Sequence, residues 1–171
     1  MADSPLSSVA GERPSFLLAR WIALLLPAAL LAGAWGSQLI GGLVPCEMCH
    51  WQRWPHYAAV VLALLAFVVP GTGSRRALTW LAALAIAVSG AIGIYHAGTE
   101  YHWWQGATAC TSEIASGGST QDMLKAIMAA PIVRCDQPQW TLAGISLAGF
   151  NAIFSLGGAL VIALLLARKA A

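Results

Sequence analysis

The stretch 45–69, PCEMCHWQRWPHYAAVVLALLAFVV, decides how the rest of the chain is read. It opens with two cysteines in a C-x-x-C spacing and then turns almost purely aliphatic. From Cys49 to Val69 it has the roughly 20 residues needed to cross about 30 Å of hydrocarbon. Inside that layer no water satisfies the backbone, so the segment must be α-helical. A C-x-x-C pair therefore sits where a membrane span begins.

Three further stretches read the same way: Phe16 to Leu39, Ala77 to Ala97 and Leu142 to Ala167. The 171-residue chain is 58% hydrophobic and only 9% charged, against about 25% charged in soluble domains. A water-soluble surface cannot be built from that composition. The expected fold class is an all-α membrane protein, a four-transmembrane-helix bundle over 16–171 whose surroundings are the lipid bilayer. Residues 1–15, rich in Pro, Ser, Gly and charge, read as a disordered tail. The net charge of +2 comes with no basic patch interleaved with aromatics, so nucleic acid is not an expected partner.

Basic residues orient the bundle. Arg13 and Arg20, Arg75 and Arg76, and Arg168 and Lys169 mark the cytoplasmic side. Both termini then lie in the cytoplasm and all four cysteines face outward. In a bacterium that is the periplasm, where disulfides form and persist. A competing reading makes the first span a signal peptide cleaved near Ala32-Gly33-Ala34. The apolar stretch is long for a signal, and its loss would leave three spans.

The long polar loop, 98–139, carries Cys110 and Cys135. Trp103-Trp104 open it and Trp140 closes it, with Trp51 and Trp54 on the same side. Such rings favour the headgroup region. A short helix is expected from Thr120 to Ala130, begun by Ser119 and ended by Pro131. Its stripe of Leu124, Ile127 and Met128 suits either local packing or a helix lying on the membrane surface.

Pro45 suits a first helical position, which puts Cys46 and Cys49 in or beside the first turn. The helix dipole there favours a thiolate and a reactive sulfur. Arg53, one turn after Cys49 on the same face, can stabilise a thiolate or a reduced acceptor; it can equally be a snorkelling anchor. Zinc would need two more ligands, for which His50 and His56 are candidates, but Cys49 and His50 are adjacent, which is awkward geometry, so no metal is expected. A static disulfide is the plainer alternative. A Cys110–Cys135 bond would stabilise the oxidised loop by about 3–4 kcal/mol in the chain-entropy model, and in an exposed loop it would also be exchangeable. His96, with Glu100 one turn on, places ionisable groups near membrane depth, which is a functional signal, or an interfacial histidine bonded to a neighbouring helix. Gln38 and Asn151 could bond a ligand or another helix, and Asn151 is left unassigned. Haem ligation by a pair among His50, His56, His96 and His102 is a third reading.

Taken together, Pro45-Cys46-x-x-Cys49-x-x-x-Arg53, Tyr95-His96-Ala97-Gly98-Thr99-Glu100, and Arg134-Cys135-Asp136 followed by Gln139-Trp140 resemble the disulfide bond formation protein B (DsbB-like) family. The resemblance runs from the first span to the last. The C-x-x-C precedes the loop pair, whereas vitamin K epoxide reductase-like proteins have the reverse order. The resemblance implies an enzyme of the bacterial inner membrane, a thiol:quinone oxidoreductase. It would reoxidise a periplasmic thioredoxin-fold dithiol oxidase (DsbA-like) and pass the electrons to the membrane quinone pool, with ubiquinone ahead of menaquinone. It also implies roles. Cys110 and Cys135 would form the shuttle pair, attacked by the partner at Cys110. Cys46 and Cys49 would reoxidise that pair, with Cys49 facing the quinone. Arg53 would stabilise negative charge, and His96 and Gln38 with Glu100 would line the quinone site. The rival is a non-enzymatic tetraspan subunit with two structural disulfides.

Overall fold

The computed structural model describes residues 13–106, 119–129 and 133–168. The expected tail through residue 12, Cys110 and the Pro131 helix stop lie outside the described residues. In chain order the elements are α1 (Pro14–Leu39), α2 (Glu47–Val68), α3 (Thr72–Glu100), a short α4 (Thr120–Ala129), β1 (Thr141–Leu142), β2 (Ile145–Ser146) and α5 (Leu147–Ala167). The starts follow capping chemistry. Pro14 opens α1, where a missing N–H costs nothing. Cys46 and Ser146 cap α2 and α5 with side-chain acceptors.

α1, α3 and α5 are long and apolar enough to cross a membrane. α2 has 22 residues, but Glu47, His50, Gln52, Arg53 and His56 make its first half polar. α3 packs on α2 and α5, and α1 packs on the same two. The long helices therefore form a ring in the order α1, α2, α3, α5. The interior is built from small side chains, among them Ala19, Ala23, Ala59, Ala63, Ala82 and Ala159 around Ile86 and Ile162. Large residues such as Leu25, Val61, Leu84, Phe154 and Leu164 are exposed. That inversion suits lipid, where helices associate by close packing rather than by hiding apolar surface. At Gly93 the α3–α5 seam closes on backbone. A Cβ there would lie 3.0 Å from the Ala148 carbonyl oxygen and 3.0 Å from the Ala152 nitrogen. Backbone cannot retreat as a side chain can, so Gly93→Val should destabilise the α3–α5 contact by about 1–3 kcal/mol. A lowered melting temperature in detergent checks this; an unchanged one would show the seam to be loose.

Several expectations shift. The fourth helix begins at Leu147, not at Leu142. Residues 141–146 instead form a hairpin pairing Thr141 with Ser146 and Leu142 with Ile145. Ala143 and Gly144 take positive φ at its tip (50° and 79°), a conformation glycine adopts freely. Tyr101 clasps the hairpin: its hydroxyl donates to the Gly144 carbonyl and accepts from the Ser146 N–H, both at 2.8 Å. α3 is longer at both ends than Ala77 to Ala97, so the turn before it shrinks to a few residues with Gly71 at φ 89°. Arg20 is fully buried, its guanidinium 4.2 Å from the Phe67 ring centroid. On α4, Leu124 and Met128 are exposed.

A candidate sulfur–imidazole site at one end of the bundle

Cys46 lies just ahead of α2 in extended conformation, and its sulfur accepts the Cys49 N–H at 3.3 Å. This is the capping role usually given to Ser or Asp. The same geometry brings the two sulfurs to 3.0 Å, with the Cys46 thiol donating to the Cys49 sulfur. That hydrogen bond and burial push the Cys46 thiol well above the ordinary thiol range. Reactivity follows the thiolate. In the reduced, folded protein iodoacetamide should therefore label Cys49 and spare Cys46 between about pH 7 and 9. Equal labelling by peptide mass spectrometry would contradict this arrangement.

Cys135 is buried and packs in one cluster with Cys46 and Met48, edged by Cys49, Tyr95 and Val133. Three cysteines from two distant parts of the sequence thus converge. The segment carrying Cys135 is tied to the turn before α2 on one side and braced within itself on the other. Gln139 donates its side-chain N–H to the Val44 carbonyl. Arg134 grips Asp136 with two nitrogens, one at 2.8 Å, which holds the Asp136 carboxyl below its usual range.

His96, on α3, reaches the pair from the other side, its Nε2 lying 3.5 Å from the Cys46 sulfur. Which ring nitrogen carries the proton follows from Gln52. The Gln52 Nε2 lies 3.3 Å from the Met48 carbonyl, a group that only accepts. This atom is therefore the amide NH2, and it also donates to His96 Nδ1 at 2.7 Å. In the neutral ring, Nδ1 accepts and Nε2 carries hydrogen toward Cys46 and toward Glu100 Oε1, 3.7 Å away. Among the described residues the other Glu100 oxygen, buried, has no hydrogen-bond partner. Glycine at position 98 lets Trp104 close over this end of α3. A Cβ there would fall 2.1 Å from the indole ring, which stacks on Tyr95 and donates to its carbonyl at 2.9 Å.

Arg53 is buried and points back to α1, donating to Gln38 Oε1 at 2.9 Å and to the Ala34 carbonyl at 3.2 Å. Gln38 thus holds the arginine and is not itself in the cavity wall. That cavity, about 280 Å³, is lined on its polar side by Cys46, Cys49, Arg53, His56, His96 and Glu100. Its apolar side includes Leu30, Leu31, Leu43, Phe150 and Phe154. The donor atoms of Cys46, Cys49 and His96 lie within 4.8 Å of one another, a spacing that would also suit a thiophilic metal ion. The zinc set weighed from sequence does not assemble: His50 is exposed and His56 lies deeper. The haem reading fares no better, because His102 is exposed as well and His56 and His96 are both engaged in the buried network.

Below His96 the network continues. Asn151 of α5 joins Gln52, Ser89 and His56 across the bundle, and Ser155 supports Asn151 at 3.0 Å. Gln52, Ser89 and Ser155 carried no signal of their own in the sequence. The spacing of Cys49, Gln52, Arg53 and His56 does hold one, since residues three and four apart share a helix face. A polar face on a membrane helix marks the interior of the bundle.

The chain matches the family model described as Disulfide bond formation protein DsbB over residues 17–165. It is 28% identical over 151 residues to the Disulfide bond formation protein B of Marinobacter nauticus, covering 81% of this chain and 86% of that one. With the protein of the same name from Polaromonas sp. it shares 30% over 153 residues, or 83% and 85% of the two chains. A Disulfide bond formation protein B 1 of Pseudomonas fluorescens is 35% identical over 77 residues, 43% and 44% of the two. No solved structure matches. With a family match spanning all four long helices and a site that gathers three of its cysteines, this multi-pass membrane chain belongs to the disulfide bond formation protein B family.

Proposed function

We propose that the chain is a thiol:quinone oxidoreductase of the bacterial inner membrane, with α2 as a fourth span, both termini cytoplasmic and the cysteines facing the periplasm. Electrons enter from a periplasmic thioredoxin-fold dithiol oxidase, cross two cysteine pairs and leave to a membrane quinone. The observation that carries this reading is the packing of Cys135 against a Cys46–Cys49 pair that itself opens on the cavity.

The cavity suits such an acceptor. It is apolar enough for a flat hydrocarbon-rich ring, yet Arg53 and Glu100 stand at its polar wall. A bound quinone supplies a sink for two electrons and two protons. The chain's own residues account for the rest. A partner thiolate attacks the Cys110 sulfur and the Cys110–Cys135 bond breaks, giving a mixed disulfide. The partner's second thiol displaces Cys110 and leaves the loop pair as two thiols. These reduce the Cys46–Cys49 bond by the same exchange. Cys46 and Cys49 then release two electrons and two protons together and reclose their bond. The Cys46 thiol, donating to the Cys49 sulfur, keeps its proton while leaving Cys49, half-buried at the cavity, as the nucleophile. His96 Nε2–H steadies negative charge that develops on Cys46, and Arg53, braced by Gln38, does the same on the cavity side. Removing both charges from water makes such contacts stronger than they are at a surface.

The reading is tested by mixing the fully reduced protein anaerobically with a ubiquinone or a menaquinone analogue and trapping thiols over time. One quinone should be reduced for each pair of thiols lost at Cys46 and Cys49, with the ubiquinone analogue faster. Thiols that persist with both analogues would leave the structural-disulfide alternative standing.

A further inference from the structure

Gln52 is buried where α2, α3 and α5 meet, and the direction of its amide is set twice. Each time the anchor is a main-chain carbonyl, a group that only accepts. On its own helix, Gln52 Nε2 lies 3.3 Å from the Met48 carbonyl. On α5, Asn151 Nδ2 lies 3.2 Å from the Ser89 carbonyl and donates to Gln52 Oε1 at 2.7 Å. The oxygen of Gln52 is therefore turned to α5 and its NH2 to α3, where it meets His96 Nδ1 at 2.7 Å. A hydrogen on Nδ1 would point at another hydrogen. On the far side of the ring stand the two sulfurs. His96 Nε2 and the sulfurs of Cys46 and Cys49 lie within 4.8 Å of one another, the donor set of a site for a thiophilic ion. Such an ion needs the lone pair of Nε2, so the ring must carry its hydrogen on Nδ1. Metal-bound histidines give that hydrogen to a carboxylate, a carbonyl or water. Here the atom opposite is itself a donor, and it cannot turn round without breaking the bond to Asn151.

We propose that Gln52 is a positioning residue that denies the Cys46–Cys49–His96 triangle to soft metal ions by holding the His96 hydrogen on Nε2. The three side chains have the donors of a zinc site and the wrong outer partner for one. Asn151 secures the amide from α5, so the choice is made across three helices. The consequence for the cysteine pair is direct. A metal ion held by both thiolates would block reclosure of their bond. A hydrogen on Nε2, 3.5 Å from the Cys46 sulfur, keeps the ring as a donor to that sulfur and leaves the pair free to cycle. Gln52 has this role whichever acceptor takes the electrons.

The test uses full-length protein in detergent, reduced and anaerobic, with Cys110→Ala and Cys135→Ala so that only the inner pair offers sulfur. The probe is Zn2+, titrated against a chromogenic chelator. Gln52→Glu puts a carboxylate oxygen opposite Nδ1 and should tighten Zn2+ binding at least about tenfold, the low end of what a changed outer partner does to metal affinity. With His96→Phe as background, the same substitution should change Zn2+ affinity by no more than about twofold. Unchanged affinity in Gln52→Glu overturns the proposal. A gain that survives His96→Phe overturns it too, because the carboxylate would then be holding the ion by itself. 15N spectra of labelled histidines read the cause, with assignment by His96→Phe. His96 should carry hydrogen on Nε2 in the parent and on Nδ1 in Gln52→Glu. A bare Nε2 in the parent sinks the proposal before any variant is made. Should the Glu variant fail to fold, Gln52→Ala takes its place. It removes the donor opposite Nδ1, so Zn2+ binding should tighten about threefold or more and part of the His96 hydrogen should move to Nδ1. No change in either would make Gln52 a packing residue. All of these outcomes leave the quinone reading where it stands.

Discussion

Cys49→Ser should lower quinone-dependent oxidation of a dithiol partner by at least about a thousandfold. Serine keeps the shape of the side chain but replaces the sulfur that accepts the Cys46 hydrogen bond and lines the cavity beside Arg53. A hydroxyl neither ionises near neutral pH nor closes a disulfide, so no bond can form as electrons leave Cys46. A hydroxyl that stays neutral and can donate to a Cys46 thiolate should also bring Cys46 back toward the ordinary thiol range, since its bond to the Cys49 sulfur is the first cause of its displacement. The variant would then be inactive yet easily alkylated at Cys46. Steady-state assay of quinone reduction together with alkylation mapping checks both halves. Wild-type turnover in the variant would end the proposed role of Cys49.

Cys135→Ala should divide the activity in two. Turnover driven by the dithiol partner should fall by about a thousandfold or more, because the shuttle pair is broken. Oxidation of Cys46 and Cys49 by quinone, after reduction with a small-molecule dithiol, should remain within about threefold of the parent. Cys135 packs in the cluster with Cys46 and Met48, and its truncation leaves both sulfurs of the inner pair in place. Rapid mixing of the chemically reduced variant with quinone separates the two rates. Equal loss of both would mean that Cys135 acts on the inner pair itself.

Much of this was legible from composition and spacing. Long aliphatic runs have one solution in lipid, so α1, α3 and α5 follow from their residues alone. The approach of His96 and Glu100 to the first cysteine pair was also within reach, because spans of similar length must return to the same end. The hairpin at Thr141–Ser146 was not. Leu142 and Ile145 extend an apolar run, and only Gly144 hinted at a break, a signal too common in membrane helices to be decisive. The Gln52–Asn151–His56 network escaped for a different reason. Its members lie far apart in sequence, and whether a polar side chain meets another or a ligand depends on which helices end up diagonal to each other. Gln38 shows the same limit: its residue type suits a ligand contact, but the fold spends it on Arg53.

The first turn of α2 is fastened by an atom whose oxidation state changes during the proposed cycle. In the dithiol form the Cys46 sulfur receives the Cys49 amide proton. A sulfur bonded to another sulfur is a poorer acceptor, so the fastening loosens on oxidation. Deuterium uptake at that single amide becomes a gauge of oxidation state, readable without dye, partner or quinone.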